Sequence, residues 1–174
     1  MKKKIIITGG LGYIGTELCK LYSGLSWHHN ISVIDNRFIS ERVNQIRNWN
    51  INFIQGDILD KEMIKKYCSD ADIIHHLAGV TDVPRTKSEA SNEKDKKIKE
   101  VGETGTQNIL DVIDNKCKII FPSTHVVFEG LEKIKRDIDE DEPTRPILTY
   151  GQSKSINETQ LKNSKKNYII LRLG

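Results

Sequence analysis

The sequence lacks the features that mark membrane-spanning and secreted proteins. Among its 174 residues, no apolar run approaches the roughly 18 residues that a membrane-spanning helix needs. A short apolar run, residues 5–7, follows three lysines, but Thr8 and two glycines end it at once. That run is too short for the apolar core of a secretion signal. We therefore expect no membrane partner.

The chain is also poor in aromatic residues and has no strong excess of either charge. Phe, Trp and Tyr make up 6% of the sequence, which gives little support for a surface that stacks nucleic-acid bases. The 27 basic and 24 acidic residues are interspersed and leave a net charge of +3. The most basic stretch, residues 94–99, is interrupted by Asp95 and is interpreted as a solvated helix face. No nucleic-acid partner is expected.

Cysteine is scarce as well. Cys19, Cys68 and Cys117 are odd in number and widely spaced, which matches neither a disulfide framework nor a zinc site. We expect them to be small buried groups in a protein of the reducing cytoplasm.

What the chain does contain is a glycine cluster directly after an apolar strand. Residues 5–7 predict a strand buried on both faces. The strand ends at four glycines: Gly9, Gly10, Gly12 and Gly15. Helical periodicity follows over residues 13–22. Glycines let the backbone turn sharply and let a phosphate approach, and a helix N-terminus binds anions. Strand, glycine turn and helix in this order predict a dinucleotide-binding unit.

Two glycine registers fit this prediction. Gly10, Gly12 and Gly15 match G-x-G-x-x-G, whereas Gly9, Gly12 and Gly15 match G-x-x-G-x-x-G. Both registers share Gly12 and Gly15, so the residues alone leave only the first position open.

A carboxylate stands where a dinucleotide fold needs one. Residues 31–35 predict the second strand, which ends in Asp35, twenty residues after Gly15. Such a carboxylate accepts hydrogen bonds from the adenosine ribose. It would repel a 2′-phosphate, which favours NAD over NADP, although Arg37 partly offsets that repulsion. Asn36, Arg37 and Phe38 are expected to line the adenosine end.

The third and fourth strands end in further candidate residues. After a strand that begins at residue 52, Asp57 can accept a hydrogen bond from the adenine amino group while Ile58 packs on the ring. The alternative is a helix cap and a core side chain, because residues 61–68 predict a short helix. In the fourth strand, residues 72–79, the adjacent His75 and His76 point to opposite faces and cannot share a metal. We predict that both are structural and that no metal is bound.

The remaining elements complete an α/β pattern. A long helix, irregular near Gly102 and Gly105, is predicted within residues 88–114. The segments that follow are a fifth strand at 118–124, an acidic surface loop at 137–142, a helix at 149–162 and a sixth strand at 168–173. Strands that alternate with helices predict a doubly wound parallel sheet of the Rossmann type, with helices on both faces, formed by residues 1–174 as one domain.

Tyr150 and Lys154 are the candidate acid–base pair. Their i, i+4 spacing puts them on one face of a helix. A free tyrosine has a pKa of about 10, and a nearby ammonium lowers that pKa toward neutrality. We expect Tyr150 to move a substrate hydroxyl proton, Lys154 to tune it and hold the ribose, and Thr124 to orient the substrate. The alternative is a purely structural pair, since this spacing is common on helices.

These motifs together resemble the extended short-chain dehydrogenase/reductase family, the group of nucleotide-sugar epimerases and dehydratases. The resemblance runs over the full length and is carried by residues 8–15, 35–36, 56–58, 76–79, 105–110, 123–124 and 146–154. It implies the glycine register Gly9, Gly12, Gly15, NAD as cofactor, a nucleotide-sugar substrate, and a homodimer formed through the long helix and the Tyr150 helix.

The resemblance also implies the site residues. The catalytic set is Thr124, Tyr150 and Lys154. The cofactor-binding set is Gly9, Gly12, Tyr13, Ile14, Gly15, Asp35, Asn36, Asp57, Ile58, Leu77, Ala78, Gly79, Tyr150 and Lys154.

Several positions depart from the family pattern. Gly102 stands where the family often has Asn, and Phe128 stands where its strand motif usually has Tyr. The 4,6-dehydratases carry Asp-Glu after the catalytic Thr, and the decarboxylases tend to carry the Glu, but His125 and Val126 occupy these places here. We therefore rank 4-epimerisation, or simple keto–hydroxyl oxidoreduction, above dehydration and decarboxylation.

The sequence ends at Gly174, near the exit of the predicted sixth strand. The smaller C-terminal lobe that holds the nucleotide-sugar in the family is largely absent. We expect residues 1–174 to be the NAD(P)-binding N-terminal part of a longer two-lobed enzyme. The alternative is a noncatalytic dinucleotide-binding module that senses the cofactor or scaffolds a partner.

Overall fold

A computed structural model describes residues 2–80, 89–133 and 137–174. Its six parallel strands form one sheet in the order β3-β2-β1-β4-β5-β6. The strands are β1 (Lys4–Thr8), β2 (Asn30–Asp35), β3 (Asn52–Gln55), β4 (Ile73–His76), β5 (Lys118–Thr124) and β6 (Asn167–Leu173). The predicted doubly wound parallel sheet is confirmed.

Helices connect these strands. They are α1 (Tyr13–Tyr22), α2 (Ser40–Asn48), α3 (Lys61–Cys68), α4 (Asn92–Lys99), α5 (Gly105–Val112) and α6 (Thr149–Asn163), with short 3₁₀ turns at Ser23–Leu25 and His125–Phe128. The sequence analysis did not predict α2. Only Val43 and Ile46 of that helix are buried, so its apolar periodicity is too sparse to stand out.

Each face of the sheet is covered by helices over its own apolar cluster. Side chains of successive strand residues point to opposite faces, so Ile5 and Ile7 join one cluster and Ile6 joins the other. Cys19 of α1 and Val43 of α2 pack on the first face. Residues of α3, α5 and α6 pack on the second. Burial of each isoleucine stabilises the fold by about 1.5–3 kcal/mol, which explains why this unbroken apolar run occupies a central strand.

The strand order creates a crevice at one edge of the sheet. From β1 the chain proceeds through β2 to β3 on one side, and then returns to build β4, β5 and β6 on the other. The connections that leave the adjacent strands β1 and β4 therefore diverge. In open α/β sheets, ligands bind at this point, outside the carboxyl ends of the strands.

The long predicted helix has the irregularity that its glycines predicted. A π-helical turn, Glu100–Thr104, joins α4 to α5. A Cβ on Gly102 would lie 2.4 Å from Ser153 Oγ, and a Cβ on Gly105 would lie 2.3 Å from Ile58 Cδ1. The two glycines thus let α6 and Ile58 approach this helix closely.

The three cysteines are buried and unpaired, as predicted. Burial raises the pKa of Cys19 and of Cys68 to about 12 and that of Cys117 to about 11, so these thiols are unreactive near neutral pH. In the described part of the chain, none of the helices has the length and apolar character needed to span a bilayer.

Candidate dinucleotide site and active site

The turn after β1 has no room for a Cβ at three positions: Gly9, Gly10 and Gly15. Gly9 has a φ of +68°, and a Cβ there would lie 2.6 Å from Ala78 N. A Cβ on Gly15 would lie 2.5 Å from Gly10 Cα. These contacts press the turn against the end of β4 and against the first turn of α1. A Cβ on Gly10 would lie 2.6 Å from Val33 Cγ1, so steric fit alone does not separate the two registers. The positive φ of Gly9 favours the G-x-x-G-x-x-G register that begins there.

The N-terminus of α1 is open toward the crevice. Gly12 is its N-cap and supplies no side-chain hydrogen bond, and the N–H of Thr16 donates to the Gly12 carbonyl. The first N–H groups of a helix have no partner within the helix, so those of Tyr13, Ile14 and Gly15 are available to an anion. The side chains of Tyr13 and Ile14 are 82% and 50% exposed and lie outside the crevice lining. Their contribution is therefore through the backbone.

A crevice of about 250 Å³ extends from this turn along the ends of β2, β3 and β4. Nine predicted cofactor-binding residues line it: Gly9, Gly12, Asp35, Asn36, Asp57, Ile58, Leu77, Ala78 and Gly79. Arg37 also lines it, as expected, whereas Val80, Lys97 and Val101 were not predicted. Phe38, expected beside Arg37, is not in the lining and packs edge-on against the Phe53 ring. Lys97 is exposed, as the interpretation of residues 94–99 as a solvated face expects, and it also lines the crevice.

Asp35 links the second strand to the glycine turn. Its residue exposure is 5%. Its Oδ2 accepts a hydrogen bond from the Leu11 N–H at 3.0 Å, and its Oδ1 accepts from the N–H and Nε of Arg37 at 3.1 and 3.3 Å. A carboxylate has about four acceptor positions, so one remains for a ligand hydroxyl. Asp35 thus orders the turn and still lines the crevice.

Asp57 belongs to the crevice and does not cap the helix that follows. Its Oδ2 accepts a hydrogen bond from Asn36 Nδ2 at 2.9 Å, and its Oδ1 accepts from the Leu59 N–H at 2.9 Å. Asp60 is the N-cap of α3, since its side chain accepts from the Met63 N–H. The cap alternative considered for Asp57 is therefore wrong.

The adjacent histidines of β4 point to opposite faces of the sheet. His75 Nε2 lies 2.8 Å from the Tyr22 hydroxyl of α1. His76 bridges Thr8 Oγ1 and Thr106 Oγ1 at 2.8 and 3.0 Å. Burial, with a smaller effect of Lys154, lowers the pKa of His76 to about 3, so it is neutral at pH 7. The described residues include no cluster of three potential metal ligands.

Tyr150 and Lys154 lie at the end of the crevice. A smaller cavity, which they line together with Gly102 and Ser153, shares Ala78, Gly79 and Val80 with the dinucleotide crevice. The two spaces are therefore neighbours, with the segment after β4 in the lining of both. The Lys154 ammonium lies 5.9 Å from the centroid of the Tyr150 ring.

The charge state of this pair differs from the expectation. Burial raises the pKa of Tyr150, where the sequence predicted a lowered value. Burial also lowers the pKa of Lys154 to about 8, and Glu158 opposes that effect. Lys154 Nζ donates to the Pro122 carbonyl at 2.9 Å and lies 4.3 Å from the Phe121 ring centroid, and these two contacts favour the ammonium without replacing the hydration that burial removes. In this structure desolvation therefore outweighs the effect of one group on the other.

Thr124 ends β5 but is not among the residues lining the Tyr150 cavity. It is 8% exposed, and its Oγ1 accepts a hydrogen bond from the Val126 N–H at 3.3 Å. The neighbouring Ser123 hydroxyl donates to Glu158 Oε1 at 2.6 Å. Of the two hydroxyl residues at the end of β5, Ser123 is hydrogen-bonded to a carboxylate and Thr124 is not.

Side chains of α6 bind the backbone at Gly102, one of the positions that depart from the family pattern. Asn157 Nδ2 donates to the Gly102 carbonyl at 3.0 Å. Gln160 Nε2 donates to the Glu103 carbonyl at 3.0 Å. Polar side chains of the Tyr150 helix therefore hold the π-turn. The sequence analysis did not predict these contacts, which join segments more than fifty residues apart.

Comparison with known proteins identifies the family. The profile of the 3-beta hydroxysteroid dehydrogenase/isomerase family matches residues 6–170. The chain belongs to this family. The resemblance to extended short-chain dehydrogenases/reductases is thereby confirmed.

Two curated relatives of this chain are UDP-sugar enzymes. A UDP-N-acetyl-alpha-D-glucosaminuronate decarboxylase of Bacillus cytotoxicus is 30% identical over 164 residues, which are 91% of this chain and 49% of the decarboxylase. A UDP-glucose 4-epimerase of Neisseria meningitidis is 29% identical over 175 residues, covering 94% of this chain and 49% of the epimerase. The chain thus spans about half the length of these relatives.

A similar structure is that of the UDP-glucose 4-epimerase of Brucella ovis, crystallised in complex with NAD. It matches with a TM-score of 0.77 and 27% identity, and the match covers 98% of this chain and 51% of that one. The shared part is the dinucleotide-binding sheet with its helices.

Proposed function

We propose that this chain binds NAD and is the cofactor-binding part of a nucleotide-sugar 4-epimerase or a related sugar oxidoreductase. The observation that carries the proposal is that the glycine-turn crevice and the Tyr150–Lys154 cavity are neighbours that share residues 78–80 in their linings. The UDP-sugar relatives and the NAD complex of the Brucella ovis epimerase support it.

The residues of the crevice fit a dinucleotide. The open N–H groups at the start of α1 would hold the diphosphate, which the absence of side chains at Gly9 and Gly12 allows to approach. Asp35 would accept a hydrogen bond from the adenosine ribose. Asp57 would accept one from the adenine amino group while Ile58 packs on the ring.

The catalytic roles fall to Tyr150, Lys154 and Thr124. NAD held in the crevice would supply reversible hydride transfer to and from the sugar. Tyr150 takes the proton of the reacting hydroxyl and gives it back. Because the pKa of Lys154 is about 8, its ammonium is mostly charged at pH 7 and would stabilise the phenolate once it turns from Pro122 toward Tyr150. Thr124 would hydrogen-bond the same sugar oxygen.

A tyrosine substitution tests this proposal. In a full-length version, Tyr150→Phe should abolish turnover of UDP-sugars and leave NAD affinity, measured by calorimetry, within about twofold. Tyr67→Phe, a change on the partly buried face of α3, is the matched control and should leave both unchanged. Activity that survives Tyr150→Phe would refute the proton-transfer assignment.

The second candidate function is a noncatalytic module that binds a dinucleotide as a sensor or scaffold. The observations that favour it are the missing side chain at Gly102, beside Tyr150 in the same cavity, and Phe128 in place of the family tyrosine. A full-length protein that binds NAD but turns over no UDP-sugar would support this candidate over the enzyme. A dehydratase is disfavoured by His125 and Val126.

The proposal extends to the domain organisation, the oligomeric state and the location of the protein. Residues 1–174 would be the N-terminal part of a two-lobed enzyme that forms a homodimer through the α4–α5 and α6 helices. Light scattering that shows a monomer would remove the dimer. Three buried, unpaired cysteines support a reducing cytoplasm as its location.

A further inference from the structure

One charged side chain of the crevice has no part in the site described so far. Lys97 of α4 lines the crevice together with Val101, which lies one helical turn further along the chain. One turn beyond Val101, Gly105 packs against Ile58, so this side of the helix faces the cofactor crevice. The position of Lys97 is therefore set by packing that is independent of its own charge.

The other charged residues in the lining already have partners. Arg37 pairs with Asp35 at 3.3 Å, and Asp57 accepts hydrogen bonds from Asn36 and Leu59. Within residues 2–80, 89–133 and 137–174, Lys97 makes neither an ion pair nor a hydrogen bond through its ammonium. Of the two basic residues among the described residues of the lining, Arg37 and Lys97, only Lys97 has no carboxylate partner.

A diphosphate bound at the glycine turn would keep part of its negative charge uncompensated. Residues 9–18 contain no lysine or arginine, and Glu17 adds a negative charge. A helix N-terminus is equivalent to about half a positive charge, whereas a dinucleotide diphosphate carries two negative charges. Arg42 is near the turn but donates to the Leu11 carbonyl. The turn supplies N–H donors for the diphosphate without a full counter-charge.

We propose that Lys97 is a further cofactor-binding residue, which supplies the cationic contact to the diphosphate from the α4 side of the crevice. This inference rests on the proposed binding of NAD. The diphosphate would then lie between the helix N-terminus on one side and an ammonium on the other.

The test is calorimetric titration of the chain and three variants with NAD, ADP-ribose and adenosine. Lys97→Met should weaken NAD and ADP-ribose about five- to twentyfold, the effect of losing one charge-assisted hydrogen bond, and leave adenosine affinity unchanged. Lys97→Arg should keep most of the affinity. Lys96→Met changes an exposed lysine of the same helix that lies outside the lining and should shift affinity less than twofold.

Two further measurements complete the test: the salt dependence of NAD affinity and the affinity for NADP. Between 50 and 500 mM NaCl, the NAD affinity of Lys97→Met should fall less steeply than that of the unchanged protein. Unchanged NAD affinity in Lys97→Met would overturn the inference while leaving the proposed function standing. No NAD binding by the unchanged chain would instead overturn the proposed function. A loss for NADP that exceeds the loss for NAD would move the contact to a 2′-phosphate and refute the diphosphate assignment.

Discussion

At the scale of single residues, the burial of Lys154 lowers the stability of the fold, whereas the proposed chemistry needs its ammonium at this place. Its ammonium is held in a largely desolvated place by the Pro122 carbonyl and the Phe121 ring. These contacts do not compensate fully for lost hydration, because the pKa of Lys154 falls from 10.5 to about 8. A buried charge that costs stability is a common property of catalytic sites.

Lys154→Met should therefore raise the free energy of unfolding at pH 7, by an amount on the order of 1 kcal/mol. The unfolded chain binds more protons than the folded one between pH 8 and 10.5 at this residue, so the unchanged protein gains stability across that window. The advantage of the variant should shrink from pH 7 to pH 10. Urea unfolding at the two pH values measures it, and a variant less stable at pH 7 would contradict it.

His76 affects stability in the acid range, below the range in which Lys154 acts. Its pKa is lowered to about 3 by burial, so the unfolded chain binds the extra proton between pH 6.5 and 3. Stability due to neutral His76 is present above pH 6.5 and is lost as the pH falls. His76→Asn should flatten the fall in unfolding free energy between pH 7 and 5. The exposed His28, changed to Asn, is the control and should leave the slope unchanged.

At the scale of elements, the π-turn and α6 form one unit. The turn widens the helix where Gly102 meets Ser153 of α6, and π-turns of this kind are frequent at functional sites. Asn157 and Gln160 of α6 then hold the turn by donating to its carbonyls. The same helix carries Tyr150 and Lys154, so we expect the shape of the turn and the position of the proposed catalytic pair to be coupled.

A double-mutant cycle measures this coupling. Gly102→Ala should destabilise the fold by about 1–3 kcal/mol through overpacking, although Ala is the better helix former. Combined with Ser153→Ala, which removes the clashing hydroxyl and leaves Cβ at 3.7 Å, the cost should largely disappear. Denaturant unfolding of the two single variants and the double variant gives the coupling energy. Additive effects would show that the two residues do not press on one another.

At the scale of the whole molecule, the strand order decides where the dinucleotide site lies. The glycine turn follows β1, Asp35 is the last residue of β2, and Asp57 comes shortly after β3. The segment after β4 lines the crevice beside them. Four separate chain segments thus meet at one edge. Asp35 takes part twice, since it accepts a hydrogen bond from the Leu11 N–H of the turn and also lines the crevice.

Cofactor preference follows from this arrangement. NAD should bind at least tenfold more tightly than NADP, because the Asp35 carboxylate repels a 2′-phosphate. Titration of both reduced cofactors, followed by Trp27 and Trp49 fluorescence, measures the ratio. Asp35→Ser should narrow it, and should also weaken NAD because Leu11 loses its acceptor. Tighter NADPH binding by the unchanged chain would refute the preference.

Most of the fold could be predicted because its signals are local. The apolar runs of β1, β2 and β5, the glycines of the first turn and the helix at residues 61–68 appear in the structure where the periodicity placed them. Helix α2 was missed because only two of its residues are buried. The irregular turn near Gly102 was predicted from its glycines, but its partners on α6 were not.

The sequence by itself determined the order of strands and helices, the glycine turn, the carboxylate at Asp35 and the pairing of Tyr150 with Lys154 on one helix face. All of these depend on spacings within one or two elements. Only the tertiary structure decided that Lys97 faces the crevice, that Lys154 turns to Pro122, and that the pKa of Tyr150 is raised. Desolvation and contacts between distant segments set these properties, and neither is encoded in local spacing.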